Sequence, residues 1–125
     1  MHEVTLDEFE TIVAGAVSAL PDEFASQISN VEFSVEEYAR PGDYGLAEPV
    51  PGVTLLGVYR GVPLTRRTSG YHMTVPDRIV IFRGPLQRLA TNEADLVERV
   101  HRVVRHEVAH YFGISDERLR EIDAY

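Results

Sequence analysis

The sequence contains no cysteine, which excludes disulfide frameworks, thiolate metal sites and cysteine nucleophiles. A metal held by this chain must therefore take histidine, carboxylate or water as ligands. There is no surplus of positive charge either: 20 acidic residues against 12 basic ones give a formal net charge of −8. A nucleic-acid binder carries a basic surplus or a basic stripe. Arg66-Arg67 and the arginines at 99, 102 and 105 are local clusters in an acidic chain, and they read as solvated faces. Long apolar runs are also missing. Ile12 to Leu20 is too short to cross a bilayer and includes Gly15 and Ser18. The start, Met1-His2-Glu3-Val4-Thr5-Leu6-Asp7, lacks the basic region and apolar core of a signal peptide. These absences set the expectation of a cytoplasmic protein that engages neither nucleic acid nor membrane.

Repeats, low-complexity tracts and linker-like stretches are absent too, so the 125 residues read as one domain, 1–125. A chain of this length buries roughly two-thirds of its unfolded surface, enough for a core without covalent staples.

What is present is a pattern of short elements. Thr5 and Glu8 have the spacing of a capping box, and Leu6, Phe9, Val13, Ala16, Val17 and Leu20 recur at helical intervals. A helix from Leu6 to Leu20 follows, ended by Pro21, with a short helical turn over Pro21 to Ala25. Val31 to Glu36 alternates apolar with polar residues, as a strand with one buried face does. The stretch Ala39 to Gly52 is broken by Pro41, Gly42, Gly45, Pro49 and Pro51 and reads as a long irregular loop. Thr54 to Arg60 is a second strand. Leu64 to Asp77 is another turn-rich excursion, and Arg78 to Phe82 is a third strand dense in β-branched residues.

Gly84-Pro85 is expected to close that strand before a helical turn over Leu86 to Ala90. Thr91 or Asn92 caps the next helix, whose apolar face runs through Leu96, Val100, Val103, Val104, Ala109 and Phe112 to Gly113. That glycine stands where a helix C′ residue would, and Ser115 caps a final short helix from Asp116 to about Asp123. Helix, strands, helix, helix without regular β-α-β alternation predicts an α+β fold: an N-terminal helix, a small mixed sheet and two further helices.

One segment ties several residue types to one chemistry. His106-Glu107-Val108-Ala109-His110-Tyr111-Phe112-Gly113-Ile114-Ser115-Asp116 spells H-E-x-x-H-x-x-G-x-x-D. Residues four apart share a helix face, so His106 and His110 can point both imidazoles at one zinc ion. Glu107 is placed to act as general base on a metal-activated water. A hydrolytic zinc takes three protein ligands, and Asp116, after the turn at Gly113, is the leading third. Glu117, Glu121, Asp123 and His101 are the alternatives. The bland alternative, a polar helix with two histidines, does not account for the glycine turn and carboxylate that follow. Tyr111 reads as packing, Tyr71 and His72 as exposed loop residues, and Tyr44 is undecided.

The chain resembles the minimal zincin-like metallopeptidases, a family of short bacterial proteins. The likeness runs from about Val31 to Leu119. It rests on Leu55-Leu56-Gly57-Val58-Tyr59, Gly61-Val62-Pro63-Leu64-Thr65, Pro76-Asp77-Arg78-Ile79, Arg83-Gly84-Pro85 and, most specifically, His106 to Asp116. It implies a zincin-like α+β fold, one zinc per chain at His106, His110 and Asp116, and Glu107 as the base of a peptidase acting on peptide or protein. Two departures from larger zincins stand out. Met1 and Met73 both precede the motif, so no methionine turn follows it. A C-terminal subdomain to wall a cleft is not expected. Peptide would then bind a sheet edge, for which the strand Arg78 to Phe82 is the candidate. The rival expectation is a zinc-stabilised binding module of the same fold with little or no turnover.

Overall fold

The computed structural model describes residues 1–28, 30–45, 55–61 and 77–113. The first helix, α1, runs Leu6–Ser18. Thr5 caps it, its hydroxyl oxygen accepting from the Glu8 amide at 3.1 Å. The same hydroxyl donates to the Glu8 carboxylate, so Glu8 reaches back to Thr5 as the capping-box spacing predicts, but to its hydroxyl. Phe9, Val13 and Ala16 form its buried face. The helix ends two residues before the sequence pattern predicts, yet Leu20 remains in the core. A single turn, α2 (Asp22–Ala25), follows.

Among the described residues, three strands form one sheet: β1 (Val31–Glu36), β2 (Gly57–Arg60) and β3 (Asp77–Phe82). Their order is β1-β3-β2, with β1 parallel and β2 antiparallel to the middle strand. The sheet is mixed, as expected, and the fold is α+β. The central position of β3 corrects one expectation. Arg78 to Phe82 cannot offer an edge to a peptide, because β1 and β2 occupy both of its sides. Its composition explains the placement: Ile79, Val80, Ile81 and Phe82 are all fully buried, as in strands covered on both faces.

The two faces separate by alternation. Tyr59, Ile79 and Ile81 join the main core with α1 and the helices after the sheet. Val58, Val80 and Phe82 form a smaller cluster on the opposite face, with Ala39 and Leu55 against it. Within the expected irregular loop, Pro41–Gly45 forms a 3-10 turn. Asp43 in that turn is buried and accepts two hydrogen bonds from the Arg60 guanidinium, each 2.8 Å. Arg60 also donates to Glu36 at 2.9 and 3.2 Å, and the Arg40 amide donates to Asp43. One arginine thus ties β1, β2 and the turn together. Its hydrogen bonds hold the Asp43 and Glu36 carboxyls below the ordinary carboxylate range, against the opposing effect of burial.

After β3 the chain enters α3 (Arg83–Leu89) without a connecting loop. Gly84-Pro85 therefore lies inside the helix and does not close the strand, correcting the expected start at Leu86. Proline is tolerated in a first turn because the amide it lacks would have no intrahelical partner. The N-terminal segment lies along α3, with the His2 amide on the Gln87 carbonyl, the Val4 amide on Gln87 Oε1, and Arg83 Nη1 on the Val4 carbonyl.

The last described element is α4 (Glu93–Tyr111). Its buried row is Leu96, Val100, Val103, Val104, Glu107, Val108, Ala109 and Tyr111. No helix among the described residues is long and apolar enough to cross a membrane. The expected final helix from Asp116 and the excursion from Leu64 to Pro76 lie outside the described residues.

Candidate metal centre

The site is carried by the C-terminal half of α4, so what fixes that helix fixes the site. Its start is set by Asn92, whose side chain accepts from the Asp95 amide at 2.8 Å. Asp95 reaches back to accept from the Thr91 amide, so two amides at the helix start are satisfied reciprocally. Its carboxyl is held low chiefly by that Thr91 amide and then by Arg99. Glu93 and Asp95 lie in the first turn, where carboxylates suit the helix dipole. At the other end the Phe112 amide bonds the Val108 carbonyl and the Gly113 amide bonds that of His110. Gly113 has φ 77°, the left-handed conformation that glycine adopts without a Cβ penalty.

The inner row of α4 is apolar except at Glu107, which is only 6 % exposed. A carboxylate at such a position costs several kcal/mol unless it is paired or bound. Its partner is on the next turn: Oε1 of Glu107 lies 3.1 Å from Nδ1 of His110. His106 and His110 flank the row and are half-buried. Their ring centroids are 4.4 Å apart and the rings are tilted by 66°. One ligand atom from each of His106, Glu107 and His110 can be chosen so that all three lie within 4.8 Å of one another. Ligands of one tetrahedral zinc sit about 3.4 Å apart, so modest side-chain rotation brings the imidazoles onto a common ion. A nitrogen and oxygen donor set without thiolate suits zinc among other divalent ions.

His106, Glu107 and His110 are thus brought together as the sequence predicts. His101 lies on the same helix but does not join the cluster. Asp116, Glu117, Glu121 and Asp123 lie outside the described residues, as do Tyr71 and His72. Tyr111 is packing, as expected: it is buried and meets Tyr59 edge-on at 5.7 Å. Phe112 packs on Phe24 of α2 at 5.2 Å, which holds the helix end against the N-terminal part of the chain.

Sequence reasoning misses one contributor. Gly57, at the start of β2, lies directly under α4. A Cβ built on it would stand 2.6 Å from Val103 Cγ1, 3.1 Å from the Val80 carbonyl oxygen and 3.4 Å from Glu107 Cγ. An isolated glycine inside a strand pattern signals such a close approach.

Comparison with known proteins shows the family and the fold. The zincin-like metallopeptidase family model matches residues 28–125, and the chain belongs to that family. Its fold is similar to that of a conserved hypothetical protein from Thermus thermophilus. The TM-score is 0.58 over 87% of this chain and 94% of the other, at 22% sequence identity. No curated protein matches the sequence. Fold, family and the His-Glu-His cluster together define a zincin-like domain with a candidate metal centre on α4.

Proposed function

We propose that the protein is a zinc-dependent peptidase in which His106, His110 and Asp116 hold one zinc ion and Glu107 is the general base. One observation carries this reading: a carboxylate occupies the buried row of α4 between two half-buried histidines. A fold that only needed two imidazoles for an ion would fill that position with valine or leucine. The family adds support, since its model spans the whole motif.

Zinc, when bound, polarises the scissile carbonyl and acidifies its water. The remaining steps belong to the chain. An Oε atom of Glu107 takes the proton of the attacking water and delivers it to the leaving amine nitrogen. Burial of the Glu107 stem limits the water that could compete for that proton. His106 and His110 keep their spacing through the helix, so α4 fixes two of the three proposed ligands. With β3 in the middle of the sheet, we place the substrate backbone along β2, the strand under Glu107, where an extended peptide can add to the sheet by main-chain hydrogen bonds.

The test is cleavage of a peptide library by zinc-loaded protein beside a Glu107→Gln variant. Products that depend on Glu107 are expected. Cleavage no greater than the variant's background would sink the peptidase reading and leave a zinc-stabilised binding module in its place.

A further inference from the structure

We propose, resting on the peptidase reading above, that Gly57 is a positioning residue for Glu107. The bare Cα of Gly57 is the floor that sets where the carboxylate stands relative to β2.

Three neighbours converge on the missing side chain of Gly57, and they differ in their ability to yield. The Val80 carbonyl, 3.1 Å from a built Cβ, belongs to the backbone of the central strand and is fixed on both sides by the sheet ladders. Val103 Cγ1, at 2.6 Å, belongs to a β-branched side chain, which in a helix has essentially one rotamer. The Glu107 stem, with Cγ at 3.4 Å, is one turn beyond Val103 on the same face. Neither the strand nor the valine gives way easily, so a methyl group at position 57 is pressed onto the Glu107 stem, which already stands at contact distance and is the flexible neighbour of the three, and turns that side chain.

Turning Glu107 leaves the two imidazoles in place on α4, so their mutual geometry stays intact while the contact between Glu107 and His110 Nδ1 is lost. What changes is the relation of Glu107 to β2, and hence to a peptide lying on that strand. A substitution at Gly57 should therefore separate metal affinity from turnover. A residue that served packing alone would lower stability and leave the Glu107 carboxylate where it is.

The contact between Glu107 and His110 Nδ1 provides a readout that needs neither metal nor activity. In metal-free ¹⁵N-labelled protein, the His110 imidazole resonances are recorded at one pH for wild type, Glu107→Gln, Val103→Ala, Gly57→Ala and the Gly57→Ala/Val103→Ala double variant. Replacing the charged acceptor by an amide shifts the Nδ1 signal, because charge-assisted hydrogen bonds polarise the donor more strongly. The double variant removes the closest clash and carries the comparison if Gly57→Ala alone does not fold.

The expected result is that Val103→Ala keeps the wild-type His110 signal while the double variant moves toward that of Glu107→Gln. Zinc affinity of the double variant is expected within about threefold of Val103→Ala, and turnover of a peptide cut by wild type about tenfold lower, as small misplacements of a reacting group produce. A double variant that matches Val103→Ala in both signal and turnover would overturn the proposal, and so would a Val103→Ala protein that alone reproduces the Glu107→Gln signal. If wild type cuts no peptide, the peptidase reading fails, and the imidazole signals still decide the role of Gly57.

Discussion

Oε1 of Glu107 lies 3.1 Å from Nδ1 of His110, one turn further along α4. The contact joins the expected base to one of the expected metal ligands within a single helix. It engages Nδ1, so the nitrogen on the far side of the ring, Nε2, is the one directed away from the carboxylate. It also gives the buried Glu107 a partner at a position where an unpaired carboxylate is costly. Among the described residues, the cluster of His106, Glu107 and His110 is consequently a property of one stretch of five residues and of the helix that carries it. The sheet beneath contributes the distance at which the helix stands.

Glu107→Gln preserves the shape of the side chain and removes its basicity. Zinc stoichiometry is expected to remain one per chain, while peptide turnover falls by about 10²–10⁴-fold, the usual worth of general acid–base catalysis. Parallel metal analysis and kinetics on the same preparation check this. Loss of zinc along with turnover would show that Glu107 acts as a ligand.

His106→Ala and His110→Ala are each expected to abolish stoichiometric zinc binding, because two ligands on one helical turn cannot be replaced by one. Asp116→Ala should weaken binding less completely. Calorimetric titration of each variant with zinc measures the effect. One tight zinc per chain retained in both histidine variants would move the site elsewhere, and unchanged affinity in Asp116→Ala would point to another third ligand.

Local signals are legible in the sequence and long-range ones are not. Val31 to Glu36 reads directly as a strand because its alternation is local, and Asn92 and Gly113 mark the ends of the helix region because caps and turns are local chemistry. The motif residues converge because a helix alone brings them together. By contrast, Arg60 meets Glu36 and Asp43 across 24 and 17 residues, and no short-range pattern announces such a pairing. Strand order departs from the expectation although a clue exists: the unbroken run Ile79-Val80-Ile81-Phe82 is what a strand covered on both faces looks like. The start of α3 departs from it because Pro85 reads as a breaker, while in a first turn its missing amide costs nothing.

The Arg60 cluster predicts acid sensitivity. The Arg60 hydrogen bonds lower the folded-state pKa of Asp43 and Glu36 below their unfolded values. Such carboxylates contribute stability that is fully present above the unfolded values and lost as pH falls through the folded ones. Stability should thus decline from about pH 4 downward. Arg60→Met is expected to flatten that decline and to cost about 2 kcal/mol at neutral pH, since Asp43 would remain buried without its partner. Urea denaturation at several pH values tests both. An unchanged acid slope in Arg60→Met would assign the sensitivity to other carboxylates.

Gly113 ends the helix that carries the histidines. Its amide donates to the His110 carbonyl at 2.9 Å, and its φ of 77° departs from the helical value. An alanine there would occupy the left-handed region at a cost of about 1–2 kcal/mol, or would abandon the turn and carry Asp116 away. Asparagine tolerates that region better than alanine. Gly113→Ala is therefore expected to lower stability by about 1 kcal/mol and zinc affinity by roughly tenfold, a loss of about 1.4 kcal/mol in binding, with Gly113→Asn intermediate in both. Thermal unfolding of the metal-free protein separates the first effect from the second, which zinc titration reads. Should Gly113→Ala lose stability but keep full zinc affinity, the turn would serve only to end the helix, and Asp116 would not be the ligand that follows from it.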